Sequence, residues 1–84
     1  MSNAKTRNVT FRSIMRSAAF VKGYQEARKG LPPASDAFPL ATVWLYERGR
    51  QFAFCYDGRL KEGNKIRMDA LIAFQHAWYA RHII

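Results

Sequence analysis

Two segments that break regular structure divide the chain into three pieces, each long enough for a helix. The first segment, 30–39, contains two consecutive prolines, and a proline cannot donate a backbone hydrogen bond inside a helix. The second, 57–65, contains two glycines among charged residues. Between these breaks apolar residues recur at helical spacing, and no run of alternating β-branched residues indicates a strand. An all-α fold of three short helices is therefore predicted. The predicted helices span 11–29, 40–56 and 66–82.

The ends of the predicted helices carry residues that commonly cap helices. Thr10 precedes the first helix, where a threonine hydroxyl accepts a hydrogen bond from a first-turn N–H. Gly30 follows it in the C′ position, which favours glycine. Pro39 suits the first position of the second helix, and Asp36 is the expected cap if that helix begins one turn earlier. These residues set the expected beginning and end of the first helix and the beginning of the second.

Gly23 and Gly49 lie inside the first two predicted helices, where a glycine costs about 1 kcal/mol relative to alanine. A residue without Cβ lets a second helix approach more closely than the usual ~8–10 Å. We therefore expect helices one and two to form an antiparallel hairpin that crosses near these glycines, with the third helix packed on it. The alternative is that one or both glycines lie at the surface. The residues expected at helix contacts are Gly23, Tyr24, Trp44, Gly49, Phe52, Phe74 and Trp78.

A chain of 84 residues is long enough for one domain only. Its N-terminal residues are polar and basic without periodicity, so we expect a flexible basic arm over 1–9 and a single helical domain over 10–84. No apolar run reaches the ~18 residues of a membrane span, and the N-terminus lacks the apolar stretch of a signal peptide. The expected protein is soluble and cytoplasmic.

The sequence lacks the motifs of common catalytic sites: it has no glycine-rich phosphate loop, no G-x-S-x-G and no H-E-x-x-H. His76 and His82 are six positions apart, a spacing that separates them around a helix and argues against a shared metal. Cys55 is the single cysteine, which excludes an intramolecular disulfide, and we expect it to be buried and unreactive. Glu47 and Arg50 are expected to form a local ion pair. These patterns predict a protein that is not an enzyme and that uses no cofactor and no metal.

The charge of the chain is strongly and unevenly positive. Its 14 Lys and Arg residues against 6 acids give a formal net charge of +8. Residues 1–35 carry +6, residues 36–58 carry −1 and residues 59–84 carry +3, so the positive field belongs to the two ends of the chain. In a helical hairpin the two clusters of basic residues are expected to meet at one end. The residues expected to contact phosphates are Lys5, Arg7, Arg12, Arg16, Arg59, Lys61, Lys65 and Arg67.

A rigid basic edge beside a mobile basic arm is typical of proteins that bind a phosphate backbone. Tyr46, Phe54 and Tyr79 are predicted to be exposed and are available to stack on unpaired bases. Nucleic acid or the ribosome is therefore the expected partner. The alternative is a solvated basic face that only maintains solubility.

The aromatic content indicates a second class of function, which is binding to a protein partner or to a second copy of the chain. Two Trp, four Tyr and six Phe residues are many for so small a core, so some of them are expected at an interface. The alternative is that these aromatic rings fill a thin core efficiently.

Gly23-Tyr24 lies in the first predicted helix, Gly30 follows about seven residues later, and Trp44, Gly49 and Ala53 lie in the second predicted helix. In these residues the chain resembles the ribosome modulation factor/CrpP group of small basic bacterial, plasmid and phage proteins. The resemblance covers roughly half of the chain. This sequence departs from the pattern at 37–39, where Ala-Phe-Pro replaces the Cys-Pro-Tyr of the family, and in its additional third helix.

The resemblance implies an α-helical hairpin with a basic surface and, in the manner of ribosome modulation factor, binding to the small ribosomal subunit. The leading hypothesis is a small basic non-enzymatic modulator that binds nucleic acid or the ribosome. Phage members of such a group suggest the alternative of an inhibitor that binds a host protein or enzyme through an aromatic and basic face.

Overall fold

A computed structural model describes residues 10–83 of the chain, and most of these residues are helical, which confirms the predicted all-α class. Helices α3 and α4 are each about one turn shorter than predicted. The elements in chain order are helix α1 (Phe11–Arg16), helix α2 (Ala18–Arg28), a 3-10 turn (Ser35–Ala37), helix α3 (Leu40–Phe52), strand β1 (Lys61–Glu62), strand β2 (Lys65–Ile66) and helix α4 (Met68–Tyr79).

The first predicted helix is interrupted at Ser17, so the expectation of one continuous helix over 11–29 is wrong. Ser17 has an extended backbone, with φ −66° and ψ 145°. Its hydroxyl donates to the Ile14 carbonyl oxygen at 2.9 Å and accepts from the Phe20 N–H at 3.2 Å. The same side chain therefore closes α1 and caps α2, because a serine hydroxyl competes with the backbone for helical hydrogen bonds. The change of direction at this residue leaves α1 packed against α4 and β2.

Helices α2 and α3 cross at Gly23 and Gly49, as the sequence predicts. A Cβ added at Gly23 would overlap the carbonyl oxygen of Tyr46, and a Cβ added at Gly49 would overlap the carbonyl oxygen of Phe20. Each glycine therefore lies directly against the backbone of the other helix. The two contacts are reciprocal, since each joins a glycine to the residue three positions before the other glycine.

Phenylalanine rings from three helices form the centre of the core. Phe20 of α2, Phe52 of α3 and Phe74 of α4 are completely buried. The Phe74 ring meets the other two edge to face, with centroids 5.4 Å from Phe20 and 5.3 Å from Phe52. Phe11 of α1 makes a similar contact with Phe74 at 5.4 Å. Helix α4 is therefore held against the α2–α3 hairpin, and α1 against α4, largely by these rings.

The two tryptophans flank this core. Trp44 and Trp78 are half-buried, and the Arg48 guanidinium lies over both rings, 5.1 Å and 5.9 Å from their centroids. An arginine between two aromatic faces is stabilised by cation–π attraction. With Tyr24 also buried, every residue expected at a helix contact is buried or half-buried.

Two of the predicted caps are present. Thr10 Oγ1 accepts a hydrogen bond from a first-turn N–H of α1 at 3.1 Å. Gly30, with φ 75°, follows α2, and the next N–H, from Leu31, donates to the Glu26 carbonyl oxygen at 2.9 Å. This is the Schellman arrangement, which a left-handed residue allows. Pro39 is the N-cap of α3, one position before the place predicted for it, and Asp36 lies in the preceding 3-10 turn.

The sequence does not predict the short β-hairpin between α3 and α4. Lys61 pairs with Ile66 and Glu62 pairs with Lys65 in antiparallel register. Two residues per strand are too few to produce a recognisable alternation of apolar and polar side chains. Ile66 is buried in the core, so the hairpin is anchored there and brings its charged residues to a defined place beside α1 and α2.

Candidate nucleic-acid interface

Helix α1 carries two of the predicted phosphate-binding residues. Arg12 and Arg16 are exposed and four positions apart, so they share a face of the helix, whereas Ile14 and Met15 are buried in the core. Neither arginine forms an ion pair within residues 10–83. Helix α1 as a whole packs against both β2 and α4, and Arg12 lies beside Leu71 and Gln75 of α4.

The basic residues predicted at 59–67 do not form one cluster, because the β-hairpin places them in different surroundings. Arg59 and Lys61 line a cleft against α2, together with Arg28. Lys65 is exposed and lies directly opposite Glu62 in the strand register, so part of its field is compensated by that carboxylate. We refer to Arg12, Arg16, Arg28, Arg59, Lys61 and Lys65 together as the basic surface.

Arg67 is engaged by two carboxylates. Its Nη1 lies 2.7 Å from Glu62 Oε1, and its Nε lies 3.0 Å from Asp69 Oδ1. The hydrogen bond and charge of Arg67 lower the pKa of Asp69 below its usual value, and the same interaction raises the pKa of Arg67. Arg67 thus links the start of α4 to the β-hairpin. The two carboxylates largely neutralise its charge. The other predicted cations, Lys5 and Arg7, lie outside the described residues.

The cleft between α2 and the segment before β1 has a volume of about 310 Å³. Three of its lining residues are cationic and none is acidic. One of the cations, Arg28, is not among the predicted binding residues, because the helix dipole alone explains a cation in the last turn of a helix. The sequence feature that points to Arg28 is its position four residues after Tyr24, to whose hydroxyl it donates a hydrogen bond. The lining residues are Val21, Tyr24, Gln25, Arg28, Gly58, Arg59, Leu60 and Lys61.

Two hydrogen bonds to one carbonyl group hold this cleft together. The Tyr24 hydroxyl donates to the Gly58 carbonyl oxygen at 2.5 Å, and Arg28 Nη1 donates to the same oxygen at 3.3 Å. The Arg28 guanidinium also lies 5.6 Å from the centroid of the Tyr24 ring. Burial raises the pKa of Tyr24 above its ordinary value of 10.0, so the phenol stays neutral at physiological pH. Both side chains of α2 are therefore oriented by the chain that follows α3.

Of the three aromatic residues predicted to be exposed, Phe54 and Tyr79 are exposed, with 85% and 75% of their surface accessible. Tyr46 is completely buried, so the prediction for it is wrong. Its hydroxyl donates to Glu26 Oε1 at 2.6 Å and accepts from the Ala34 N–H at 3.0 Å. The Tyr46 backbone lies against Gly23 at the crossing of α2 and α3, and the Tyr46 ring stacks on Phe38 with centroids 4.6 Å apart.

The predicted ion pair between Glu47 and Arg50 is replaced by other contacts. Arg50 Nη2 donates to the Leu31 carbonyl oxygen at 2.8 Å, and Arg50 Nη1 donates to the Tyr46 hydroxyl at 3.4 Å. Arg50 therefore ties the Pro-rich loop to α3. Such a contact between segments distant in sequence is not visible in the local spacing of charges.

Cys55 is exposed, so its predicted burial is wrong. Helix α3 ends at Phe52, and Cys55 therefore leaves the helical phase that would have turned it inward. Partial desolvation raises the pKa of its thiol. Within residues 10–83 no three His, Cys, Asp or Glu side chains lie together in a way that would hold a metal ion. In the same range no helix combines the length and the apolar character needed to cross a bilayer.

No family model, no curated protein and no solved structure matches this chain. The likeness to the ribosome modulation factor/CrpP group therefore stays a prediction that rests on the glycine and aromatic residues quoted above.

Proposed function

We propose that this protein is a small non-enzymatic modulator that binds nucleic acid through its basic surface. The resemblance to the ribosome modulation factor/CrpP group makes ribosomal RNA the first nucleic acid to test. Binding of this kind needs cationic side chains that remain free to exchange their counterions for phosphates.

One observation carries the proposal: the cations of the basic surface lie on neighbouring elements, and none of them forms an ion pair within residues 10–83. Helix α1 is packed against β2, β2 is paired with β1, and the residues around β1 line a cleft with α2. Two of the acids in this region, Glu62 and Asp69, are held by Arg67. We therefore expect an excess of positive charge around α1 and the cleft, and such an excess favours the approach of a polyanion.

The proposal predicts salt-dependent binding that depends on particular arginines. We expect a 20-nucleotide RNA to bind the full chain at ~50 mM salt, with an affinity that falls linearly on a plot of log K against log salt. Replacing two phosphate-contacting residues should reduce the slope of that plot by about 1.5. The variant is Arg12→Gln with Arg16→Gln, and fluorescence anisotropy measures its binding to RNA and to DNA.

A control with the same loss of charge separates a specific surface from net charge. Lys22→Gln with Lys29→Gln also removes two positive charges, but neither residue belongs to the basic surface, and Lys22 is already paired with Glu26 at 3.2 Å. We expect this control variant to keep most of the slope of log K against log salt. Equal losses in the two variants, or no detectable binding of RNA and DNA at ~50 mM salt, would contradict the proposal.

A second candidate function, binding to a protein partner, is favoured by the outer face of α4. The same helix that buries Phe74 exposes Met68, Ile72 and Tyr79, and Phe54 at the end of α3 is exposed as well. Exposed apolar residues that recur along one helix are typical of interaction sites. The remaining aromatic residues are buried or half-buried, so most of the aromatic content is explained by the core.

A pull-down from bacterial lysate separates the two candidates. A partner that is retained after nuclease treatment and at ~0.5 M salt would favour an apolar protein interface, because counterion-driven contacts weaken steeply with salt. Recovery of small-subunit ribosomal proteins that are lost after RNase treatment would favour the ribosome.

A further inference from the structure

We propose that the cleft between α2 and the segment before β1 binds the phosphate monoester of a nucleotide, either free or at the end of a strand. This inference rests on the proposed function in one respect, namely that the ligand of the basic surface is a nucleic acid or one of its units. It adds a defined pocket to an otherwise extended electrostatic surface.

The size and lining of the cleft fit a small anionic ligand with an apolar body. Its volume of about 310 Å³ lies at the lower end of the range for small-molecule sites. Arg28, Arg59 and Lys61 supply positive charge. Val21 and Leu60 supply an apolar wall against which a base or a sugar can lie. Asp57, the acid next to the cleft in sequence, does not line it.

Arg28 is oriented before any ligand arrives. One of its nitrogens, Nη1, is directed to the Gly58 carbonyl oxygen, and the guanidinium lies beside the Tyr24 ring. A guanidinium has five N–H donors in a rigid fork, and among residues 10–83 only Nη1 of Arg28 has hydrogen-bond acceptors, so Nε and Nη2 are available to two oxygens of one phosphate. A cation that is already held in place loses less conformational freedom on binding, which increases affinity.

The number of cations favours a monoester over an internal phosphodiester. A terminal phosphate carries about −1.5 to −2 charges at pH 7, whereas each internal phosphate of a strand carries one. Three cationic side chains around one cleft match the larger charge. Inorganic phosphate has the charge but leaves the apolar wall exposed to water, so it should bind more weakly than a nucleotide.

Titration of the ¹⁵N-labelled full chain with uridine 5′-monophosphate, uridine and inorganic phosphate tests the pocket. We expect saturable shifts at the backbone amides of Gln25, Arg28 and residues 58–61 with the monophosphate. Uridine should bind at least about tenfold more weakly, because it lacks the charged group. The variant Arg59→Gln with Lys61→Gln should weaken binding of the monophosphate by about tenfold or more, whereas Lys22→Gln with Lys29→Gln should change it less than about twofold. The spectrum of each variant reports whether its fold is kept.

Oligonucleotides with and without a 5′-phosphate distinguish a strand end from a free nucleotide. If the ligand is a strand end, the phosphorylated strand binds more tightly, and Arg59→Gln with Lys61→Gln removes that advantage. Equal affinity of the two strands together with no shifts at the cleft would overturn this inference and leave the proposed function standing. Saturable binding of the mononucleotide without binding of any strand would support the cleft and contradict the proposed function.

Discussion

The phenolic oxygen of Tyr46 joins helix α2, the loop that follows it and helix α3. It donates to Glu26 of α2, and it accepts from Ala34 in the loop and from Arg50 on its own helix. A buried hydroxyl is costly unless its hydrogen-bonding capacity is satisfied, and here it is satisfied on both sides. Together with Arg50, this side chain therefore fixes the Pro-rich loop to the α2–α3 crossing.

Glu26 makes this arrangement dependent on pH. The hydrogen bond from Tyr46, with a smaller contribution from Lys22, lowers the pKa of Glu26 below its ordinary value of 4.5. A carboxylate with a lowered pKa stabilises the fold above its unfolded-state pKa, and this stabilisation is lost as the pH falls through its folded-state pKa. We expect the urea midpoint of the wild type to fall more steeply between about pH 5 and pH 3 than that of Glu26→Gln.

The control for this prediction is Glu47→Gln, because Glu47 is an exposed carboxylate of α3 outside the ion pairs of residues 10–83. The urea midpoint of Glu47→Gln should fall between about pH 5 and pH 3 as steeply as that of the wild type. Parallel curves for the wild type and Glu26→Gln would show that the Tyr46–Glu26 hydrogen bond does not contribute to stability.

Arg81 is a second residue whose substitution should change the stability of the fold in a predictable direction. It follows α4 with a φ of 66°, in the left-handed region, and the next N–H, from His82, donates to the Ala77 carbonyl oxygen. Glycine adopts this conformation without the cost that a Cβ imposes. We expect Arg81→Gly to raise the free energy of unfolding, measured with urea, by about 0.5–1 kcal/mol. This value is the net of the strain that glycine relieves and of the greater conformational freedom of glycine in the unfolded chain. Arg81→Ala removes the same charge but keeps a Cβ, so an equal gain from alanine would assign the effect to charge.

At the scale of elements, the crossing of α2 and α3 determines the shape of the core. The segments FVKG and YERG each place an aromatic residue three positions before a glycine. In the structure the carbonyl group of each aromatic residue lies against the glycine of the other helix. No side chain separates the two helices at this point, so the aromatic bulk lies on either side of the crossing.

An alanine at either glycine tests how strongly this contact is required. The added Cβ meets a backbone carbonyl oxygen, which cannot move as a flexible side chain would. We expect Gly49→Ala to lower the free energy of unfolding by about 2–3 kcal/mol, even though alanine gains about 1 kcal/mol of helix propensity. Urea unfolding followed by far-ultraviolet circular dichroism measures the change. Glu47→Ala, at an exposed position of the same helix, should alter stability by less than about 0.5 kcal/mol. A tolerated Gly49→Ala would mean that the helices separate without loss of core contacts.

The sequence predicts the helices better than their interruptions, for a physical reason. Thr10, Gly30 and the two crossing glycines act through short-range geometry, which residue type and spacing reveal. Ser17 interrupts a pattern of apolar residues that is otherwise continuous, and the periodicity of such a pattern does not change when a helix bends at one residue. The β-hairpin is too short to have a periodicity of its own.

For the whole molecule, the location of positive charge is predicted only in part. The exposed arginines of α1 follow from helical spacing alone. The division of the 59–67 cluster, with Arg67 neutralised and Lys61 in a cleft, depends on strand register and on contacts with α2. Arg28 enters the basic surface only through its contact with Gly58, thirty positions away. Tertiary contacts of this kind leave no local pattern in a single sequence.

The break at Ser17 has a consequence for the stability of different parts of the protein. Six residues are too few for a helix to persist alone, so α1 exists only while Ile14 and Met15 remain docked in the core. Local opening is therefore expected to release α1 before the α2–α3 crossing, and amide hydrogens should exchange in that order. If a polyanion binds Arg12 and Arg16 as proposed, docking of α1 and binding of the ligand form one coupled equilibrium, in which the ligand lowers the population of the opened helix.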